Sequence, residues 1–238
     1  MSQAVHLLSN SDAGLPTDLW FPATINAPPQ KSSLFALGLA GDFKMNIEWS
    51  LETFYKTFNN LIEFSDGASF FTGNADWQEK IENNGQGKAY GAELLLQKKT
   101  GRTTSCLSYC ISKNTRQFDN LNFGEPFPYK YDHRHDFSIT INHKFSDKLQ
   151  ISGSWIFAKG NAVTLPSTRY EIYVLEWIHR NEGDISYIYD EAHIYGKRNN
   201  YRTPAYHRLD INLNFTKKTN KGIRIWSLGL YNVYNRLN

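Results

Sequence analysis

Residues 204–216 read PAYHRLDINLNFT, and they contain the sharpest alternation of polar and apolar residues in the chain. The apolar members are Leu209, Ile211, Leu213 and Phe215, and the polar members are Arg208, Asp210, Asn212 and Asn214. Successive side chains of a strand point to opposite faces, so this period of two predicts a β-strand with one apolar and one polar face.

The same alternation recurs along the chain and predicts about eight strands in four antiparallel hairpins. The other predicted strands cover residues 33–43, 47–58, 88–98, 102–113, 133–145, 149–159 and 222–234. Residues 1–32 contain Pro16, Pro22, Pro28 and Pro29, and such a density of proline predicts an irregular lead-in of loop and strand. We therefore expect one all-β domain over residues 1–238, in which residues 1–32 are the lead-in and residues 33–238 form the four hairpins.

The connections between the predicted strands alternate in length. Short turns are predicted at residues 41–46, 99–102, 146–148 and 217–222, and long loops at residues 59–88, 114–132 and 160–203. Barrels of the outer membrane have short periplasmic turns and long external loops. The asymmetry therefore predicts an antiparallel transmembrane β-barrel rather than a soluble sheet.

The composition agrees with a barrel wall. Mean hydropathy is −0.53, although 15% of the residues are aromatic. A polar lumen face and aromatic girdles at both interfaces produce this combination. The net charge of +3, without a run of Lys and Arg, does not favour nucleic acid as a partner. The first residues show no secretory signal, so we expect that the chain is a fragment of an exported protein.

The sequence contains no signature of an enzyme, and we expect no catalytic residue, no cofactor and no metal. Cys106 and Cys110 lie on the same face of one strand, about 13 Å apart, which is too far for a disulfide. His133 and His135 share a face, but the spacing offers no third metal ligand. Arg208 and Asp210 share one face two residues apart, and we expect them to form an ion pair or part of a ladder of charges in the lumen rather than a catalytic site.

The loop at residues 160–203 is the strongest candidate for function, because long loops in compact proteins are usually functional or disordered and its aromatic content argues against disorder. Its candidate ligand contacts are Tyr170, Tyr173, Trp177, Tyr187 and Tyr189, and His179 and Arg180 lie among them. The alternative is a structural loop that packs on its neighbours.

Five stretches of the sequence resemble a known family: AYGAELLLQKKTGR (89–102), SYCISKNTRQF (108–118), FPYKYDHRHDFSITINHKF (127–145), YRTPAYHRLDINLNF (201–215) and LGLYNVYNRLN (228–238). They resemble the C-terminal part of the barrel of TonB-dependent outer-membrane receptors. The likeness is greatest to Bacteroidetes-type members, which carry a carboxypeptidase-like regulatory domain.

The resemblance implies about eight strands of a barrel of about 22, without the plug domain. It implies a place in the outer membrane and a role in the energised uptake of a siderophore, cobalamin, oligosaccharide or peptide. The implied partners are outer-membrane lipid, the plug and remaining strands, and the TonB complex through a missing N-terminal region. Two alternatives stay open: a small self-contained barrel with a structural or adhesive role, and a soluble carbohydrate-binding β-sandwich.

Overall fold

The backbone is built around one large antiparallel sheet. The computed structural model describes residues 5–9, 18–44, 46–65, 80–177 and 185–236. The long strands of the sheet are β3 (Lys31–Phe43), β4 (Ile47–Phe64), β5 (Ile81–Lys98), β6 (Thr103–Gln117), β8 (His135–Lys144), β9 (Leu149–Ala158), β14 (Tyr206–Thr219) and β15 (Gly222–Leu230). Their spatial order is β15-β14-β9-β8-β6-β5-β4-β3. The predicted all-β antiparallel fold is confirmed.

The other described strands lie outside this order. They are β1 (Val5–Ser9), β2 (Asp18–Pro22), β7 (Phe127–Pro128), β10 (Ala162–Val163), β11 (Pro166–Trp177), β12 (Ile185–Tyr195) and β13 (Tyr201–Arg202). β7 pairs with β6, β1 with β2, β10 with β13 and β11 with β12. In the described residues, no helix is long and apolar enough to cross a membrane.

The register of the sheet sorts the side chains onto two faces. Ile211 of β14 lies opposite Gly153 of β9 and Leu230 of β15, whereas Asn212 lies opposite Ser152 and Gly229. The same parity continues through every pair of neighbouring long strands as far as β3. We call the two surfaces the apolar face and the polar face. The apolar face includes Leu37, Leu39, Leu51, Leu94, Leu107, Ile139, Trp155, Leu209, Ile211, Leu213 and Leu228.

Aromatic side chains border the apolar face at both ends. Tyr55 and Tyr90 stack with ring centroids 6.5 Å apart at one end, and Phe43 and Trp49 stack at 5.8 Å at the other. Aromatic rings prefer the level of the lipid headgroups, so two such rows mark the limits of an apolar band.

The connections of the sheet differ sharply between its two ends. Residues 44–46, 99–102, 145–148 and 220–221 make the turns at one end, which we call the short-turn rim. Residues 65–80, 118–134 and 159–205 connect strands at the other end, the long-loop rim. The alternation predicted from the sequence is present, although the boundaries of all three long loops differ.

The loop predicted at residues 59–88 is shorter in the structure, because β4 continues to Phe64 and β5 begins at Ile81. The register shifts between Phe58 and Leu61, which marks a bulge. Beyond it, residues 61–64 are all buried, so no alternation reveals them as a strand.

Two further regions are more regular than the sequence analysis expects. Within residues 1–32, β1 and β2 pair from Val5 opposite Pro22 to Ser9 opposite Asp18. Pro22 ends β2, and Pro28 and Pro29 precede β3, so these prolines border the strands without interrupting them. Residues 160–203 form a β-hairpin from β11 and β12, here called the arm, rather than an irregular loop.

Ile211 lies near the middle of the apolar band, so it tests the assignment of the faces. We expect Ile211→Arg to lower the free energy of unfolding in lipid vesicles by about 2–4 kcal/mol, the usual cost of a cation at the midplane. Asn212→Arg, on the polar face of the same strand, is the matched control and should cost much less. Equal losses in denaturant titrations of the two variants would contradict the assignment.

Candidate functional site

Among the described residues, two buried apolar clusters lie at the long-loop rim. Leu61, Phe118, Leu121 and Phe127 form one buried cluster, and Ala27, Ile62 and Phe64 form another. A Cβ atom at Gly85 would lie 2.2 Å from a ring carbon of Phe118, so only glycine allows β5 to pass beneath this cluster. The loops therefore share a core of their own above the sheet.

Glu63, near the end of β4, contacts Arg116 of β6 and Arg198, which follows the arm. Its carboxylate accepts a hydrogen bond from Arg116 at 3.0 Å and lies 3.5 Å from the guanidinium of Arg198. Arg116 also stacks over the ring of Tyr129 at 3.6 Å. Burial raises the pKa of the Tyr129 phenol above its usual value, and the adjacent Arg116 opposes that rise. The phenol therefore stays neutral beside the ion pair.

Asp132 forms a second centre of the same kind. Its side chain is fully buried, accepts a hydrogen bond from the backbone N–H of Asn114 at 2.6 Å and pairs with Arg202. Arg134 approaches the same carboxylate at 3.7 Å. Arg202 also donates to the carbonyl oxygen of Gly160 at 3.4 Å. The buried carboxylates of Glu63 and Asp132 thus each form ion pairs with two arginines.

Hydrogen bonds attach the residues that follow the arm to the neighbouring loop at residues 118–134. The side chain of Asn199 donates to the carbonyl of Pro128 at 2.8 Å, and the backbone N–H of Arg198 donates to the side chain of Asn122 at 2.7 Å. β10 and β13 pair directly below the arm. A Cβ atom at Gly160 would lie 1.9 Å from the carbonyl oxygen of Thr203, which again requires glycine. The arm therefore projects from an anchored base.

The candidate ligand contacts lie along the arm. Tyr170 is half exposed and pairs with Ala192 near the base. In the register, Tyr173 lies opposite Tyr189, Leu175 opposite Tyr187 and Trp177 opposite Ile185. The side chains of Tyr173, Trp177, Tyr187 and Tyr189 lie outside the described residues, as do His179 and Arg180. The hairpin thus places all five candidate positions on one element.

Two other groups of polar residues noted in the sequence make side-chain contacts within the sheet. Arg208 donates to Asp210 at 2.9 Å, so the expected ion pair is confirmed. Nδ1 of His135 lies 2.9 Å from the hydroxyl of Tyr109. In the part of the chain that the structure describes, no cluster of His, Cys, Asp and Glu is suited to hold a metal ion.

The polar face carries a groove of about 380 Å³ between β8, β9, β14 and the end of β15. Its lining combines Gly153, Ile211, Gly229 and Leu230 with polar residues, which are Thr140, Asn142, Ser152, Ser154, Asp210, Asn212 and Tyr231. The hydroxyl, amide and carboxylate groups of these polar residues can form hydrogen bonds with water or with a polar partner.

Glu63, Asp132, Arg198 and Arg202 were not identified from the sequence. The ion pair of Glu63 with Arg116 joins residues 53 positions apart, and that of Asp132 with Arg202 joins residues 70 positions apart, so no local pattern signals them. The only local indication was the block of aromatic and charged residues at 127–136, which the resemblance to a receptor barrel also covers.

Comparisons with known proteins agree with this architecture. The family described as TonB dependent receptor-like, beta-barrel, matches residues 11–235. No curated protein matches the chain.

Two solved structures are similar in fold. The ferripyoverdine receptor of the outer membrane of Pseudomonas aeruginosa, bound to ferripyoverdine, aligns with a TM-score of 0.54 at 15% identity over 88% of this chain and 24% of its own. The FrpB iron transporter from Neisseria meningitidis aligns with a TM-score of 0.52 at 12% identity over 90% of this chain and 28% of its own. The chain therefore spans about a quarter of the length of these proteins.

Asp132 tests the anchoring of the loops. Asp132→Asn keeps the size of the side chain but leaves Arg202 and Arg134 without their carboxylate. We expect a loss of about 2–3 kcal/mol in local stability, at the low end for a broken buried ion pair because both arginines are partly exposed. Limited proteolysis should then cut the 118–134 loop faster. Asp119→Asn, at an exposed position of the same loop, is the control, and equal cleavage of the two variants would contradict the anchoring role.

Proposed function

The chain belongs to the TonB-dependent receptor-like β-barrel family, whose members are outer-membrane proteins, and on that premise we propose that it forms part of the wall of a receptor for energised uptake. The observation that carries the proposal is the sheet itself, which has a continuous apolar face, a polar face and long connections at only one rim. Such a sheet separates lipid from a polar interior.

The open edges of the sheet favour a larger barrel over a small self-contained one. In the described strand order, β3 and β15 stand at opposite ends and do not pair with each other. Both strands are exposed along nearly their whole length. Because unpaired backbone groups are costly in lipid, the proposal includes further strands, a plug against the polar face and coupling to a TonB complex as parts of the complete receptor.

The ligand is proposed to meet the long-loop rim. The arm offers Tyr170, Tyr173, Trp177, Tyr187 and Tyr189 as contacts, and its anchored base holds them near the opening of the barrel. Siderophores, cobalamin, oligosaccharides and peptides are the candidate classes. A Bacteroidetes-type receptor with a carboxypeptidase-like regulatory domain is part of the same proposal, supported by the resemblance of residues 89–102 and 127–145 to that type.

Sidedness tests the proposed orientation. A cysteine at Ser186, on the arm, should react in whole cells with a bulky maleimide that cannot cross the outer membrane. A cysteine at Thr219, beside a short turn, should remain unmodified until the membrane is permeabilised. Cys106 and Cys110 are first replaced by serine. Reversed labelling would contradict the orientation, and a periplasmic control protein shows whether the cells are intact.

Tyr170 tests the role of the arm. Once a panel of labelled compounds from the four classes identifies one whose uptake requires the proton-motive force, we expect Tyr170→Ala to weaken its binding about tenfold, the loss of one aromatic contact. Thr168→Ala, at an exposed position two residues before it, should leave the affinity unchanged. Equal affinities of the two variants would assign the arm a structural role instead.

A further inference from the structure

The charges of the chain are distributed unevenly between the two ends of the sheet. The four short turns, taken with three residues on each side, contain ten Lys and Arg residues and three carboxylates. The three long connections, taken in the same way, contain 11 Lys and Arg residues and 15 carboxylates. The overall charge of +3 therefore conceals an excess of seven positive charges at the short-turn rim.

Every one of the four short turns contributes to this excess except the first, which carries one lysine between two acids. The stretches are DFKMNIE (42–48), KKTGR (98–102), KFSDK (144–148) and KKTNKGIR (217–224). Of their ten cations only Lys98 is half-buried, and the others are exposed. We call these ten residues the basic rim.

The basic rim is poorly neutralised by the protein itself. Within the described residues, Lys99 is the only member that forms an ion pair, with Glu48. Lys217 and Arg224 lie directly opposite each other on β14 and β15. Like charges in this position destabilise a sheet, and an external anion relieves the repulsion. The positive charge of the rim is therefore available to a partner outside the described chain.

The cations are arranged in a row with a regular interval. Consecutive hairpins are neighbours in the sheet, so their turns lie two strands, or about 10 Å, apart. The four turns together extend along about 30 Å of the rim. A partner with repeated anionic groups can occupy several turns at once, because each contact after the first forms within the same complex. The row therefore favours a polymer over a small anion.

The register shows that most of the basic rim does not lie on the surface toward lipid. Lys98, Lys217 and Arg224 share the parity of the apolar face. Lys144 and Lys218 share that of the polar face. The other five cations lie on the turns themselves. The headgroups of a surrounding lipid layer thus meet only three of the ten cations directly, whereas a partner below the rim meets the turns.

We propose that the basic rim is a docking surface for peptidoglycan, the polymer that lies beneath an outer membrane. Its stem peptides recur along each glycan strand and carry carboxylates, with which Lys and Arg form charge-assisted hydrogen bonds. The inference rests on the proposed function, because it takes the short-turn rim as periplasmic. It gives the barrel wall a partner in addition to the ligand, the plug and the TonB complex.

The test measures how much of the protein, extracted from outer membranes in a nonionic detergent, co-sediments with purified peptidoglycan sacculi. An exposed ion pair contributes about twofold to binding, so Lys148→Gln/Lys218→Gln/Lys221→Gln should weaken the binding about eightfold. These three side chains are exposed and form no ion pair within the described residues. Binding of the unaltered protein should also fall as the salt concentration rises, because salt screens exposed charges.

Two controls separate docking from general charge attraction. The variant Lys31→Gln/Lys88→Gln/Lys159→Gln removes the same charge from exposed positions toward the long-loop rim and should leave the binding unchanged. Sacculi whose carboxylates have been converted to amides keep the glycan but lose the negative charge, and they should bind the unaltered protein at least tenfold more weakly.

Three outcomes would overturn the inference while leaving the receptor barrel standing. They are an equal loss of binding in the two triple variants, equal binding of native and amidated sacculi, and unchanged sacculus binding by the short-turn variant. If that unchanged binding is accompanied by a loss of co-purified phosphatidylglycerol, the rim is assigned to lipid of the inner leaflet instead. Reversed labelling at Ser186 and Thr219 would overturn the proposed orientation and the inference together.

Discussion

The structure depends on one constraint: a backbone that crosses lipid must satisfy its hydrogen bonds within the protein, because the hydrocarbon offers no partner. β4 illustrates how the sheet meets it, since its residues pair with β3 on one side and with β5 on the other. When a strand pairs on both sides, its backbone is satisfied and only its side chains meet the surroundings. One set of side chains faces lipid and the other set faces the interior. The alternation of apolar and polar residues follows from this constraint, and it is clearest in β8 and β14.

The same constraint explains why the buried core lies at the long-loop rim rather than in the sheet. Mid-sheet side chains face either lipid or a polar interior, so they do not need to cover one another. The loops, by contrast, meet water and must fold as a soluble unit, with Phe127 and Leu121 fully buried. Glu63 and Asp132, each shared by two arginines, join these loops to the base of the arm.

The strands were predicted correctly from the sequence where one face of the strand is apolar and the other is polar. The period of two identified β14 and β8 because one face is apolar and the other polar. It failed at residues 61–64, where both sides are buried, and at β1 and β2, where prolines border short strands. It also treated residues 160–203 as a loop, although β11 and β12 pair there. The ion pairs of Glu63 with Arg116 and Arg198, and of Asp132 with Arg202, join residues far apart in the chain, so no window of sequence contains them.

The central claim is that alternate residues of each strand face lipid and a polar interior. Nitroxide labels placed one at a time at residues 136–142 of β8, in cysteine-free protein in lipid vesicles, measure it directly through collisions with oxygen and with a water-soluble nickel chelate. We predict that oxygen contact peaks at 137, 139 and 141 and that nickel contact peaks at 136, 138, 140 and 142. Uniform contact with the nickel chelate, or the absence of a period of two, would contradict the account.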